Sequence, residues 1–146
     1  PFAMLEGLVS SFLDRDFETM LNPPVAGRLK EAQALGHYTV ILSSSPNFLV
    51  KNIAKRFGVN EWGATEYSVT KDQTVGTVSK QMDGDDKARY VAELMQRMGI
   101  SKDKITGYSD SLLDFPFLEA VGHPIAVNPG RGLRKLCLQN HWQILD

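Results

Sequence analysis

Cysteine is almost missing from this chain of 146 residues: Cys137 is the only one. No internal disulfide can form, which fits a reducing compartment. Cys137 lies in LRKLCLQN at helical spacing, the setting of a small core residue rather than a nucleophile. Neither sign of charge is in excess, with 16 Lys plus Arg against 17 Asp plus Glu and a net charge of −1. No basic stripe stands out, so nucleic acid is not an expected partner. No apolar run approaches the ~20 residues of a membrane span. No signal peptide opens the chain, so the expectation is a cytoplasmic protein with no membrane partner. The histidines His37, His123 and His141 stand at element edges without metal-ligand spacing and read as structural or solvated. Internal repeats and low-complexity tracts are absent too. So is an initiator Met: Pro1-Phe2-Ala3 leads straight into a helical pattern, the look of a fragment or a processed chain.

What is present is ordinary globular composition, 42% apolar and 23% charged, in one domain's worth of chain. Over residues 4 to 21 the apolar groups Leu5, Leu8, Val9, Phe12, Leu13, Phe17, Met20 and Leu21 follow helical spacing. Asn22-Pro23-Pro24 breaks that run and opens a second helix to about Leu35, ended by Gly36. HYTVIL (His37 to Leu42) has the β-branched, apolar look of a buried parallel strand. It runs into Ser43-Ser44-Ser45-Pro46 and a helix through Phe48, Leu49, Ile53, Ala54 and Phe57, stopped by Gly58. Residues 63 to 79 read as a β-hairpin. Gly84-Asp85-Asp86-Lys87 opens a helix with Ala88, Val91, Leu94, Met95 and Met98 inward, for which Asp85 or Asp86 is the expected cap.

A strand from Ile105 to Tyr108 follows, then Ser109-Asp110-Ser111, Asp114, a helical run to Gly122 and a strand from Ile125 to Val127. Last come a helix after Pro129-Gly130, through Leu133, Leu136 and Leu138, and an edge strand from Trp142 to Leu145. Alternating strands and helices predict a three-layer α/β fold around a mainly parallel sheet, with a hairpin insertion. Ser43 follows one strand and the carboxylates Asp110 and Asp114 follow another, at the edge where open α/β sheets hold ligands. Lys87 sits in a helix's first turn, where a cation opposes the macrodipole; a plain solvated lysine is the competing reading. The competing reading of Ser109 or Asp110 is a helix cap. Hydroxyl, cation and hard oxygen ligands for Mg²⁺ are together what phosphoryl transfer requires.

On these residues the chain resembles the haloacid dehalogenase superfamily, and within it the phosphoserine-phosphatase-like group. TVILSSSPNFLVKNIAKRFGV is similar to the family's second motif. That resemblance implies that Ser43 and the Ser44 backbone bind phosphate. GDDKARYVAEL is similar to the third, which makes Lys87 the cation that neutralises phosphate and nucleophile. GYSDSLLDFPFLEAVGHPIAVNP resembles the fourth, which makes Asp110 the Mg²⁺ ligand and Asp114 the acid that orients its neighbours. ATEYSVTKDQTVGTV resembles the hairpin this group carries before its lysine helix. The implied activity is Mg²⁺-dependent hydrolysis of a small phosphorylated metabolite through an aspartyl-phosphate.

The family's first motif is a strand ending in Asp-x-Asp-x-Thr, whose first Asp attacks phosphorus. The one Asp-x-Asp ahead of Ser43 is Asp14-Arg15-Asp16, in helical spacing and with its Thr one place late. The expectation is therefore that the nucleophile strand is absent. Residues 1–36 would then be a helical segment left from a cap and crossover. Residues 37–146 would be an α/β core with two open strand edges, inactive alone and prone to strand swapping or homodimerisation. Asp14 and Asp16 as a displaced nucleophile pair are the alternative. Two further readings stay open: a non-catalytic phosphate- and Mg²⁺-binding module, and an unrelated flavodoxin-like domain.

Overall fold

The structure is a computed structural model that describes residues 7–11, 23–69 and 75–146. In chain order its elements are β1 (Gly7–Ser11), α1 (Pro23–Ala34), β2 (Tyr38–Pro46), α2 (Asn47–Phe57), β3 (Glu61–Val69), β4 (Val75–Lys80) and α3 (Gly84–Met98). There follow β5 (Ile105–Ser109), α4 (Phe115–Ala120), β6 (His123–Val127), α5 (Arg131–Asn140) and β7 (Gln143–Leu145). The strands form one sheet in the order β4-β3-β2-β1-β5-β6-β7. All neighbours are parallel except the β3–β4 hairpin.

Successive strand residues face opposite sides of a sheet, and here both sides are covered. Ile41 packs with Val25 and Leu29 of α1 and Val50 and Ile53 of α2. Its neighbours Val40 and Leu42 pack with Val91 and Leu94 of α3, Phe117 and Leu118 of α4, and Leu133 and Cys137 of α5. Burial on both faces is why β2 reads as a continuous apolar run. The three-layer α/β reading stands. Gly58 and Gly99 close α2 and α3 in the left-handed conformation, which glycine adopts without a Cβ penalty.

The largest difference from the sequence reading is at the amino end. Gly7–Ser11 is a strand, where helical spacing predicted a helix over residues 4 to 21. It lies between β2 and β5, parallel to both. Ladders on both sides satisfy the backbone groups of this segment, and pairing of that kind outweighs a weak local period. The expected incomplete sheet is corrected accordingly. Gly7–Ser11 of this chain fills the slot between β2 and β5, and Val25 and Leu29 of α1 pack in the same core as Ile41 of β2. The rest of the helical reading, with Asp14 and Asp16, falls on residues 4–6 and 12–21, outside the described residues.

Smaller corrections concern caps and faces. The N-cap of α3 is Asp83, two or three places before the expected Asp85 or Asp86. In α5 the buried residues are Leu133 and Cys137, while Leu138 is exposed. Burial pushes the Cys137 thiol up, away from its reactive thiolate form.

Candidate active site

The carboxyl edge of the sheet is assembled from three loops. β2 runs on to Pro46, so Ser43 lies within the strand rather than after it, where its register with β3 shifts between Leu42 and Pro46. Ser43 is fully buried and its Oγ accepts the Ser45 N–H at 3.1 Å. The Ser44 hydroxyl donates to the Met82 carbonyl at 2.8 Å, and the Met82 N–H donates to Thr65 Oγ1 at 3.1 Å. The approach to α3 is thus clamped from β2 and β3 together. A reciprocal capping box between Asp83 and Asp86 then starts the helix. Gly84 follows because its neighbour leaves no room: a Cβ there would collide with the Leu113 carbonyl oxygen.

That close approach lets Lys87 reach Asp114. Lys87 is 0% exposed, so the solvated-lysine reading is corrected. Its Nζ lies 2.9 Å and 3.2 Å from the two carboxylate oxygens of Asp114, itself 2% exposed. The Ser109 hydroxyl donates to Asp114 Oδ2 at 2.7 Å and accepts the Ser111 N–H at 3.1 Å. The capping role once open to Ser109 or Asp110 belongs to Ser111, whose Oγ accepts the Leu113 N–H. A buried ion pair is tolerated only where further hydrogen bonds satisfy its oxygens, and Ser109 supplies one.

Strand register relates the remaining residues. Ser11 is opposite Leu42 on β2, and Ser10 is opposite Tyr108 on β5. Ser43 and Asp110 therefore lie level with each other on either side of β1's carboxyl end. Two inter-strand spacings put their backbones about 10 Å apart. Lys87 and Asp114 are in contact, and Asp110 leaves the same turn as Asp114. The five residues of β1, GLVSS, include no carboxylate.

Sequence reasoning missed two features. One is Ser109 as a partner of Asp114; its only signal was a hydroxyl beside the carboxylates. The other lies at the opposite edge, where Glu61 accepts from Tyr38, Tyr90 and, at 3.0 and 2.9 Å, both terminal nitrogens of Arg97. Burial alone would raise the Glu61 carboxyl, but hydrogen bonds from Arg97 and the two tyrosines hold it below the usual range. Burial and the Glu61 carboxylate push the Tyr90 hydroxyl well up. Nothing in the spacing of these residues announces the cluster.

For a cation, the described residues hold no group of three or more His, Cys, Asp or Glu placed to bind one. Asp114 is engaged by Lys87 and Ser109, and Asp110 stands half-buried just past the end of β5 in the same turn. One carboxylate is a fit for Mg²⁺, which keeps several waters and commonly takes its other ligands from a phosphate.

A doubly covered, mainly parallel sheet here carries a hydroxyl, a buried lysine and two acids at its carboxyl edge, the edge where open α/β sheets hold ligands. The sequence pattern of the haloacid dehalogenase-like hydrolases matches residues 2–119, and the chain belongs to that family. It is 32% identical over 144 residues to a probable phosphatase of Mycobacterium tuberculosis, covering 99% of this chain and 50% of that protein. It is 34% identical over 112 residues to a phosphoserine phosphatase of the same organism, covering 76% and 36%. A solved family hydrolase from Salmonella enterica serovar Typhi shares the fold, with a TM-score of 0.78 at 16% identity, covering 99% and 69%. The chain spans about half the length of the first curated relatives it matches. Among the described residues no helix is long and apolar enough to cross a membrane.

Proposed function

We propose that this chain carries the phosphate- and metal-holding side of a cytoplasmic phosphomonoester hydrolase acting on a small phosphorylated metabolite. The observation that carries the reading is the fully buried Lys87, paired to Asp114 at the sheet edge that also holds Ser43, near the end of β2, and Asp110, just past β5. A lysine is kept out of water at such a place when its charge is needed there. Lys87 neutralises the phosphoryl oxygens, the Ser43 hydroxyl and Ser44 N–H donate to them, and Asp114 holds the ammonium in place. Asp110 holds Mg²⁺, which when bound offsets charge on the phosphate. In the whole protein a carboxylate attacks phosphorus, the P–O bond to the leaving alcohol breaks, and water later releases phosphate from the aspartyl ester.

A second reading has an observation of its own. Since β1 carries no acid, a phosphate- and Mg²⁺-binding module without turnover fits this chain, unless Asp14 or Asp16 reaches the site. Orthophosphate titration with Mg²⁺, alongside a phosphatase screen on the same preparation, separates the two. Binding with turnover supports the hydrolase, binding alone supports the module, and neither refutes both. Asp110→Asn is expected to abolish Mg²⁺-dependent binding and any turnover; near-normal values remove Asp110 from the site.

A further inference from the structure

We propose that Ser109 is a positioning residue that fixes the Asp114 carboxylate against the Lys87 ammonium. The inference rests on the reading above only for its phosphate arm. The directions of its hydrogen bonds are forced. The Ser111 N–H can only donate, so Ser109 Oγ accepts there, at 3.1 Å. The single hydroxyl proton is then directed to Asp114 Oδ2, at 2.7 Å. Ser109 is 1% exposed, so rotating its hydroxyl away leaves buried polar groups without water to replace the lost partner.

The positions of the three residues give this hydrogen bond its consequence. Lys87 stands on α3 and ends a flexible four-carbon stem, a point charge with little directional preference of its own. Asp114 lies in the short turn before α4. Ser109 is the last residue of β5, a strand paired on both sides, and its chain neighbour is Asp110. The hydroxyl therefore references the carboxylate, and through it the ammonium, to the same rigid strand end that presents the metal-side acid. A hydrogen-bond partner behind a functional group holds its orientation, and by analogy with the groups that steady metal ligands its loss is expected to cost about 10- to 100-fold in affinity.

The test compares the wild-type chain with Ser109→Ala and Ser109→Thr. The first readout is the ¹⁵N-resolved signal of the Lys87 ammonium, assigned by through-bond correlation. The second is affinity for orthophosphate in the presence of Mg²⁺. With the backbone amide spectrum preserved, Ser109→Ala is expected to broaden the Lys87 signal by faster solvent exchange and to weaken phosphate binding by about 10- to 100-fold. Ser109→Thr, which keeps the hydroxyl, restores both. If Ser109→Ala does not fold, Ser109→Cys, a weak donor of similar size, takes its place. An unchanged Lys87 signal in a folded Ala or Cys variant overturns the proposal, as does a folded Thr variant that behaves like Ala. Should the wild type bind no phosphate, the hydrolase reading fails for this chain, and the Lys87 signal still decides the role of Ser109.

Discussion

Breaking the Lys87–Asp114 pair from one side leaves an uncompensated charge in a dry site. Both residues are essentially inaccessible, at 0% and 2% exposure. Removing one partner of such a pair costs about 3–5 kcal/mol, far above the ~0–1 kcal/mol of an exposed pair. Asp114→Ala also strands the Ser109 hydroxyl, a further ~1 kcal/mol. At roughly 2–4 °C per kcal/mol for a chain near 150 residues, the melting temperature should fall by about 6–20 °C for Lys87→Ala and about 8–24 °C for Asp114→Ala. Replacing both partners, Lys87→Met with Asp114→Leu, removes the charge problem and should return most of that loss, because apolar substitutes for buried pairs are often neutral or better. Urea unfolding, followed by far-UV circular dichroism and by the fluorescence of Trp62 and Trp142, gives the full double-mutant cycle. Single variants within ~1 kcal/mol of wild type, or a double variant as unstable as the sum of the singles, would refute the reasoning.

Three further outcomes follow from other contacts. Gly84→Ala forces the start of α3 away from the Leu113 carbonyl; it should cost about 1–3 kcal/mol, and thermal unfolding indistinguishable from wild type would contradict the close approach. Because Glu61 is held below its ordinary value of 4.5, its contribution is present above that pH and lost as pH falls through the lower folded value. Glu61→Gln should therefore be less stable at neutral pH and lose less on acidification, and parallel acid-unfolding curves for the two proteins would contradict this. The Tyr90 hydroxyl is raised above its ordinary 10.0, so its contribution is present below that pH and lost as pH climbs beyond it. Tyr90→Phe should flatten the alkaline decline in stability, and an unaltered decline would exclude Tyr90 as a source.

Where a strand or helix announces itself by its own period and caps, the sequence was sufficient. HYTVIL, the Gly58 and Gly99 stops, and the hairpin expected over residues 63 to 79, whose strands pair antiparallel, mark elements the structure contains. Cys137 was readable as core for the same reason. Failure came where long-range pairing decides. Leu8 and Val9 fit a helical period, yet the neighbouring β2 and β5 draw Gly7–Ser11 into the sheet. The N-cap of α3 shifted to Asp83 because a run of three acids around one glycine offers several capping registers, and the Met82 clamps choose among them. Lys87 was visible as an oddity, but its burial depends on Gly84 and Leu113, 29 residues apart in sequence. Ser109 and the Glu61 cluster depend on such distant neighbours too, and no short-range pattern records them.

The most direct measurement is a crystal structure of the chain grown with Mg²⁺ and orthophosphate. The account predicts phosphate within hydrogen-bond reach of Ser43 Oγ and Lys87 Nζ, with the metal ion on Asp110. Phosphate bound elsewhere, or phosphate and metal occupying another edge of the sheet, would contradict it.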